Sequence, residues 1–212
     1  MIQLLIILII TTGCTNTETS NAKQKASPDP DNSNIQSFNN PQAPNTHSLT
    51  EIGQRFEDED GVVTLEKLVD FQDSGMIGPI KLTINNVKIF NYTPAPHLID
   101  FFHGYTHKEV NFNYIKFGIN VHNLSDEIVD FSPISILRTN QGEQKDFTDD
   151  FYLQHLYGKL EPKQTKLGEM AFVLEDTDLA SLRDITIITS DVFDKNNHSL
   201  HGAKEIKIDF SQ

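Results

Sequence analysis

Tryptophan is absent from this 212-residue chain, cysteine occurs once, and cations are scarce: 17 Lys and Arg against 30 Asp and Glu give a formal net charge of −13. A single cysteine excludes an internal disulfide and any multi-cysteine metal site. Nucleic-acid binding depends on clustered Lys and Arg that neutralise phosphates. No such cluster occurs, so nucleic acid is excluded as a partner, and the acidic balance mainly keeps the chain soluble. With 14 Phe, 5 Tyr and no Trp, there are few flat amphipathic rings for sugar stacking. Long hydrophobic runs are missing too. Residues 2–10 are apolar apart from Gln3, far short of the roughly 20 residues a spanning helix needs. There is no Gly-x-Ser-x-Gly elbow, and the paired carboxylates Asp149-Asp150 sit at an expected helix start, where the macrodipole accounts for them. The chain therefore reads as non-enzymatic and free of cofactors.

What the chain does have begins at its cysteine. The apolar run suits the central region of a secretory signal. The residues Thr11-Thr12-Gly13-Cys14 resemble the bacterial lipobox, although Thr11 stands where leucine is usual. The resemblance implies a signal peptide at 1–13 and a mature N-terminus at Cys14, lipidated on sulfur. The thiol is then neither redox-active nor a nucleophile. Two acyl chains, at about 0.8 kcal/mol per buried CH₂, hold a protein firmly on a bilayer. The expected location is the extracytoplasmic face of the cell membrane, with the membrane a partner through the N-terminal lipid.

Residues 15–50 contain four prolines, and their sizeable apolar residues are Ile35, Phe38 and Leu49. Such a composition cannot bury enough surface to offset chain entropy. Residues 14–50 are therefore expected to form a disordered tether with a coil span of about 30–36 Å. The folded domain is expected at 51–212, where 15 basic residues face 27 acidic ones.

Beyond residue 60 the apolar period becomes two, the signature of strands. Strands are expected at 62–69, 78–93, 110–123, 128–138, 168–175, 184–193 and 204–210. In "IKLTINNVKIF" Ile80, Leu82 and Ile84 share one parity, and Val87 and Ile89 the other, so a bulge is expected at Asn85-Asn86. A similar change of phase separates Tyr114 from Ile115. Turn residues fall at 123–126, 140–142 and 195–197. A helix is expected from a Thr148 cap to Gly158, and a second short turn at 177–183. Seven or so strands at this spacing predict an all-β fold, an antiparallel sandwich with one or two short helices.

Three stretches carry a family resemblance: "FGINVHNLSD" (117–126), "ILRTNQGEQKDF" (136–147) and "LEPKQTKLGEMAFVLE" (160–175). Their order is similar to that of an uncharacterised family of Gram-positive surface lipoproteins with an immunoglobulin-like domain, described as telokin-like or immunoprotective extracellular. The likeness spans roughly residues 77–212 and departs at Pro162-Lys163, where such domains often carry Pro-Gly. It implies an immunoglobulin-like β-sandwich at the cell envelope and brings no catalytic residues.

Two loops stand out as candidate interaction segments, 93–109 and 143–160. In the first, Leu98, Ile99, Phe101 and Phe102 either form an exposed apolar contact patch or fold inward and plug one end of the sandwich. The same loop holds His97, Asp100, His103 and His107, which on a helix would offer three ligands to a metal; Gly104 interrupts that helix. His198 and His201 form a weaker pair on the last hairpin. "FEDEDGVVTLEK" (56–67) half-imitates a calcium loop, but Phe56 and Lys67 replace two essential oxygen ligands, and an acidic turn leading into a strand is the better reading. The function expected is a non-catalytic binding module for an unidentified protein or envelope component. An extracytoplasmic metal- or solute-binding lipoprotein is the alternative.

Overall fold

The structure, a computed structural model, describes residues 40 and 42–210. The expected signal peptide, Cys14 and the expected tether up to residue 39 lie outside the described residues. The chain is all-β and antiparallel. Its strands are β1 (Arg55–Asp58), β2 (Gly61–Ile77), β3 (Ile80–Pro94), β4 (Phe112–Asn123), β5 (Val129–Phe131), β6 (Ile136–Thr139), β7 (Gln144–Asp146), β8 (Gly158–Leu160), β9 (Thr165–Leu174), β10 (Asp184–Ile188), β11 (Val192–Asp194), β12 (Ser199–His201) and β13 (Glu205–Asp209). Among the described residues one short helix, α1 (Ile99–Phe102), follows a 3-10 turn at Pro96–Leu98.

The strands form three sheets: a five-stranded one ordered β1-β2-β3-β4-β9, and two four-stranded ones ordered β13-β10-β6-β7 and β12-β11-β5-β8. The expected strands at 128–138 and 184–193 each split in two, because each leaves one small sheet for the other. The breaks coincide, and the Ser132 amide donates to Ser190 Oγ across them at 2.8 Å. β2 and β3 form a long hairpin closed by Gly78-Pro79, with Gly78 at φ 54°, the backbone that the first central position of a type II′ turn requires.

The bulge at Asn85-Asn86 is present. Pairing with β4 steps from Asn85↔Gly118 to Lys88↔Lys116, three residues against two, and Asn86 takes φ 51°. The apparent phase change in β4 has another origin. β4 pairs with β9 from Asn113↔Leu174 to His122↔Thr165 without a shift; its alternation is unbroken, and both of its faces are buried.

One large apolar cluster joins the inner face of the five-stranded sheet to both small sheets. Ile84, Val87, Phe117, Ile119, Met170 and Phe172 meet Phe131, Leu137, Leu160, Ile185, Val192 and Ile208 there. A second cluster lies on the outer face, where Phe90, Tyr92, Phe112, Tyr114 and Val173 are covered by Ala43, Leu49, Leu98, Phe102, Phe151 and Tyr152. Two expectations therefore change. The tether cannot extend to residue 50, because Asn40, Ala43, Thr46 and Leu49 are buried; few apolar residues are enough when a sheet face is waiting for them. The helix from Thr148 to Gly158 is replaced by a 3-10 turn at Phe147–Asp149 capped by Asp146. Beyond it Phe151 and Tyr152 pack on the outer face and Leu156 on the inner, so the segment must wrap a sheet edge, and Leu153 and His155 adopt positive φ.

Candidate binding face

The bulge at Asn86 decides what the outer face presents. On β3, Thr83 and Asn85 point outward before it, and Lys88, Phe90 and Tyr92 after it. β4 adds Phe112, Tyr114, Lys116, Gly118 and Asn120, and β9 adds Glu169, Ala171 and Val173. The face divides into an aromatic zone and a polar zone. In the aromatic zone Phe102 is the hub, with ring centroids 4.9 Å from Phe112, 5.2 Å from Phe151 and 5.5 Å from Tyr92. The Tyr92 hydroxyl lies 2.7 Å from the Asp60 carbonyl and 3.1 Å from that of Gln42, donating to one at a time. Burial pushes its pKa far up.

The polar zone is built around charges. Lys116 is 3%, Lys88 7% and Glu169 8% exposed. Lys116 Nζ donates to Glu169 Oε1 at 2.6 Å and to Thr46 Oγ1 at 2.8 Å, and sits 6.0 Å from the Phe90 ring centroid. Lys88 Nζ donates to the Leu49 carbonyl at 2.6 Å. Burial lowers the pKa of Lys88, the Lys116 charge lowers it further, and Glu169 partly offsets both. The segment spanning 40 and 42–50 is thus a strap laid over the charges. Its own fit is imperfect, since Asn40 Nδ2 and Gln42 Oε1 are buried without a hydrogen-bond partner.

The two edges of the five-stranded sheet are treated differently. Side chains cap β9: Asp150 Oδ1 accepts from the amides of Ala171 and Tyr152, Gln154 Oε1 from Glu169, and Glu143 from Glu175 and Asp176 just beyond the strand. Burial pushes the Asp150 carboxyl up to about 7, against those two amides. β2 beyond Leu65 has no strand on its far side among the described residues. It is blunted instead, by two register shifts and by Glu66, Asp70 and Asp73, devices that discourage edge-to-edge pairing. A groove of about 390 Å³ beside it is lined by Leu68, Phe71, Lys207 and Phe210 among others.

The loop singled out from sequence joins the aromatic zone. Leu98 and Phe102 are buried, and Ile99 and Phe101 half-buried. The loop therefore plugs the outer face of the five-stranded sheet. Its histidines separate. His97 Nε2 lies 3.5 Å from Asp60, His103 Nδ1 3.9 Å from Asp100, and His107 Nδ1 3.2 Å from Glu175. Among the described residues no three His, Cys, Asp or Glu side chains come together in a metal-binding group. His198 pairs with Asp194 at 3.2 Å. The half-imitated calcium loop is the β1–β2 hairpin, with Val63 and Leu65 buried.

The chain is 29% identical over 234 aligned positions to the uncharacterized protein YdhF of Bacillus subtilis (strain 168), an alignment covering 99% of each. No protein-family model matches it. In structure it is similar to a functionally unknown protein from Listeria monocytogenes EGD-e, with a TM-score of 0.51 and 15% identity, covering 71% of this chain and 87% of that one. That likeness shows a shared fold alone. Any account of function rests on the residues themselves.

Sequence reasoning missed Lys88, Lys116 and Glu169. The available signal was a lysine flanked on both sides by large apolar residues, as in "NVKIF" and "YIKFG". In a strand buried on both faces, such a lysine has no solvated face to occupy.

Proposed function

We propose that this chain is a lipid-anchored extracytoplasmic protein, akin to the telokin-like surface lipoproteins, whose immunoglobulin-like β-sandwich serves as a non-catalytic recognition module at the cell envelope. The observation that carries this reading is the sole cysteine, placed behind an apolar run and a glycine and ahead of a polar tract. The core shared between one large sheet and two small ones supports the sandwich. Among the described residues, no helix is long and apolar enough to cross a membrane, so attachment in this reading rests on the lipid.

Recognition is assigned to the outer face and the segments that cross it. Loops held on a rigid scaffold commonly carry binding, and this face concentrates buried charge that the fold does not need. The alternative of metal binding draws no support from histidines that each pair with a different carboxylate. Fractionation of cells expressing the wild type and Cys14→Ser tests the reading. The wild type is expected in the membrane fraction on the outer side, and the variant outside that fraction or retained as uncleaved precursor. Identical distributions and identical processing would refute it.

A further inference from the structure

We propose that Lys88, Lys116 and Glu169 form a carboxylate-binding site covered by the strap at 42–50, so that a bound carboxylate and the strap compete for the same two ammonium groups. The proposal deepens the assignment of recognition to the outer face and rests on it.

Three observations lead there. First, the trio carries two cations and one anion. Lys88 and Lys116 are directly opposed across the β3–β4 ladder, an arrangement in which like charges repel. Glu169 hydrogen-bonds Lys116, and the remaining positive charge on Lys88 is met by a neutral carbonyl. Asp150, which caps β9 one outward position further on at Ala171, spends one oxygen on two backbone amides. A fold that needed only to fill this space would be served as well or better by apolar side chains.

Second, the strap supplies two oxygens, Thr46 Oγ1 to Lys116 and the Leu49 carbonyl to Lys88. Two oxygens presented to two adjacent ammonium groups are what a carboxylate provides, with the addition of the negative charge the site lacks. The strap's bonds already have a charged donor; a carboxylate adds attraction between opposite charges, which is strong at a buried site. An ammonium has three donors; Lys116 uses two on described residues and Lys88 one.

Third, the strap carries buried polar groups that its release would satisfy. Its buried Asn40 Nδ2 and Gln42 Oε1 lack partners, and both would be hydrated on release. Its buried apolar side chains are small or few, namely Ala43, Pro44 and Leu49.

The test uses the full chain with three probes: succinate, diglycine with its free terminal carboxylate, and diglycinamide as the neutral control. Amide hydrogen exchange is followed by mass spectrometry, and binding by calorimetry. The expected result is exchange at least about tenfold faster over 42–50 in the presence of succinate or diglycine, with none from diglycinamide. Response to diglycine alone identifies a peptide terminus as the source, and response to succinate identifies a small organic acid. Thr46→Val removes one of the strap's two hydrogen bonds to the lysines and should tighten carboxylate binding about tenfold, the worth of one such bond. Lys88→Met and Lys116→Met should abolish it. If neither carboxylate binds the wild type or Thr46→Val, the proposal is overturned, whether or not the lysine variants fold. Equal binding by the lysine variants overturns it as well. Cys14 plays no part in these readouts, so failure here leaves the lipid-anchor reading standing, and the converse holds.

Discussion

Asp150→Asn isolates one buried carboxyl. Asp150 is 2% exposed, and burial raises its folded-state pKa from 3.8 to about 7. Because the folded value lies above the unfolded one, the native state holds the extra proton between them. The resulting stability is fully present below about pH 4 and is lost as pH rises through about 7. At about 1.36 kcal/mol per pKa unit, the swing is about 4 kcal/mol. Asparagine keeps the Oδ1 that accepts from Ala171 and Tyr152 and carries no charge at any pH, so the variant should lack the swing. Carboxylates held below their usual range, such as Glu175 and Asp146, act in the opposite sense at lower pH and cancel in the comparison. Urea unfolding of both proteins from pH 4.5 to 8 measures it. With m about 2 kcal/mol/M, the midpoint of the variant should rise relative to wild type by up to about 2 M over that range. Parallel profiles, offset by a constant, would show that the carboxyl is hydrated and refute the reasoning.

Other outcomes follow from the same packing. Glu169→Gln leaves Lys116 buried beside a neutral amide and should cost about 3–5 kcal/mol, read by urea unfolding; adding Lys116→Met should recover most of the loss. Gly61→Ala drives a Cβ into the Thr93 carbonyl at φ 133°; a strained, clashing site should cost about 1–3 kcal/mol and lower Tm by several degrees. Phe102→Ala should cost about 3–5 kcal/mol, and Phe101→Ala, half-buried, clearly less. A smaller loss for Phe102 than for Phe101 would mean the loop does not seat as described.

The strands were legible in the sequence because one-sided alternation survives wherever one face is solvated, as in Glu205-Ile206-Lys207-Ile208-Asp209, and the bulge at Asn86 announced itself as a change of parity. Legibility failed where both faces are covered. In β4 the phase change was only the passage from outward Phe112 and Tyr114 to inward Ile115 and Phe117. The 150–156 segment resembled a helix because its caps are local signals, whereas its conformation is set by the edge of β9, a contact distant in sequence. The strap read as tether because composition measures what a segment can bury alone, not what a sheet face offers it. Lys88, Lys116 and Glu169 come from three strands, and only their register unites them.

The most direct measurement of the central claim is the mass of the N-terminal peptide of the protein extracted from membranes. The account predicts a chain beginning at Cys14 with a diacylglyceryl group on its sulfur. A chain that keeps residues 1–13, or whose Cys14 thiol is unmodified, would contradict it.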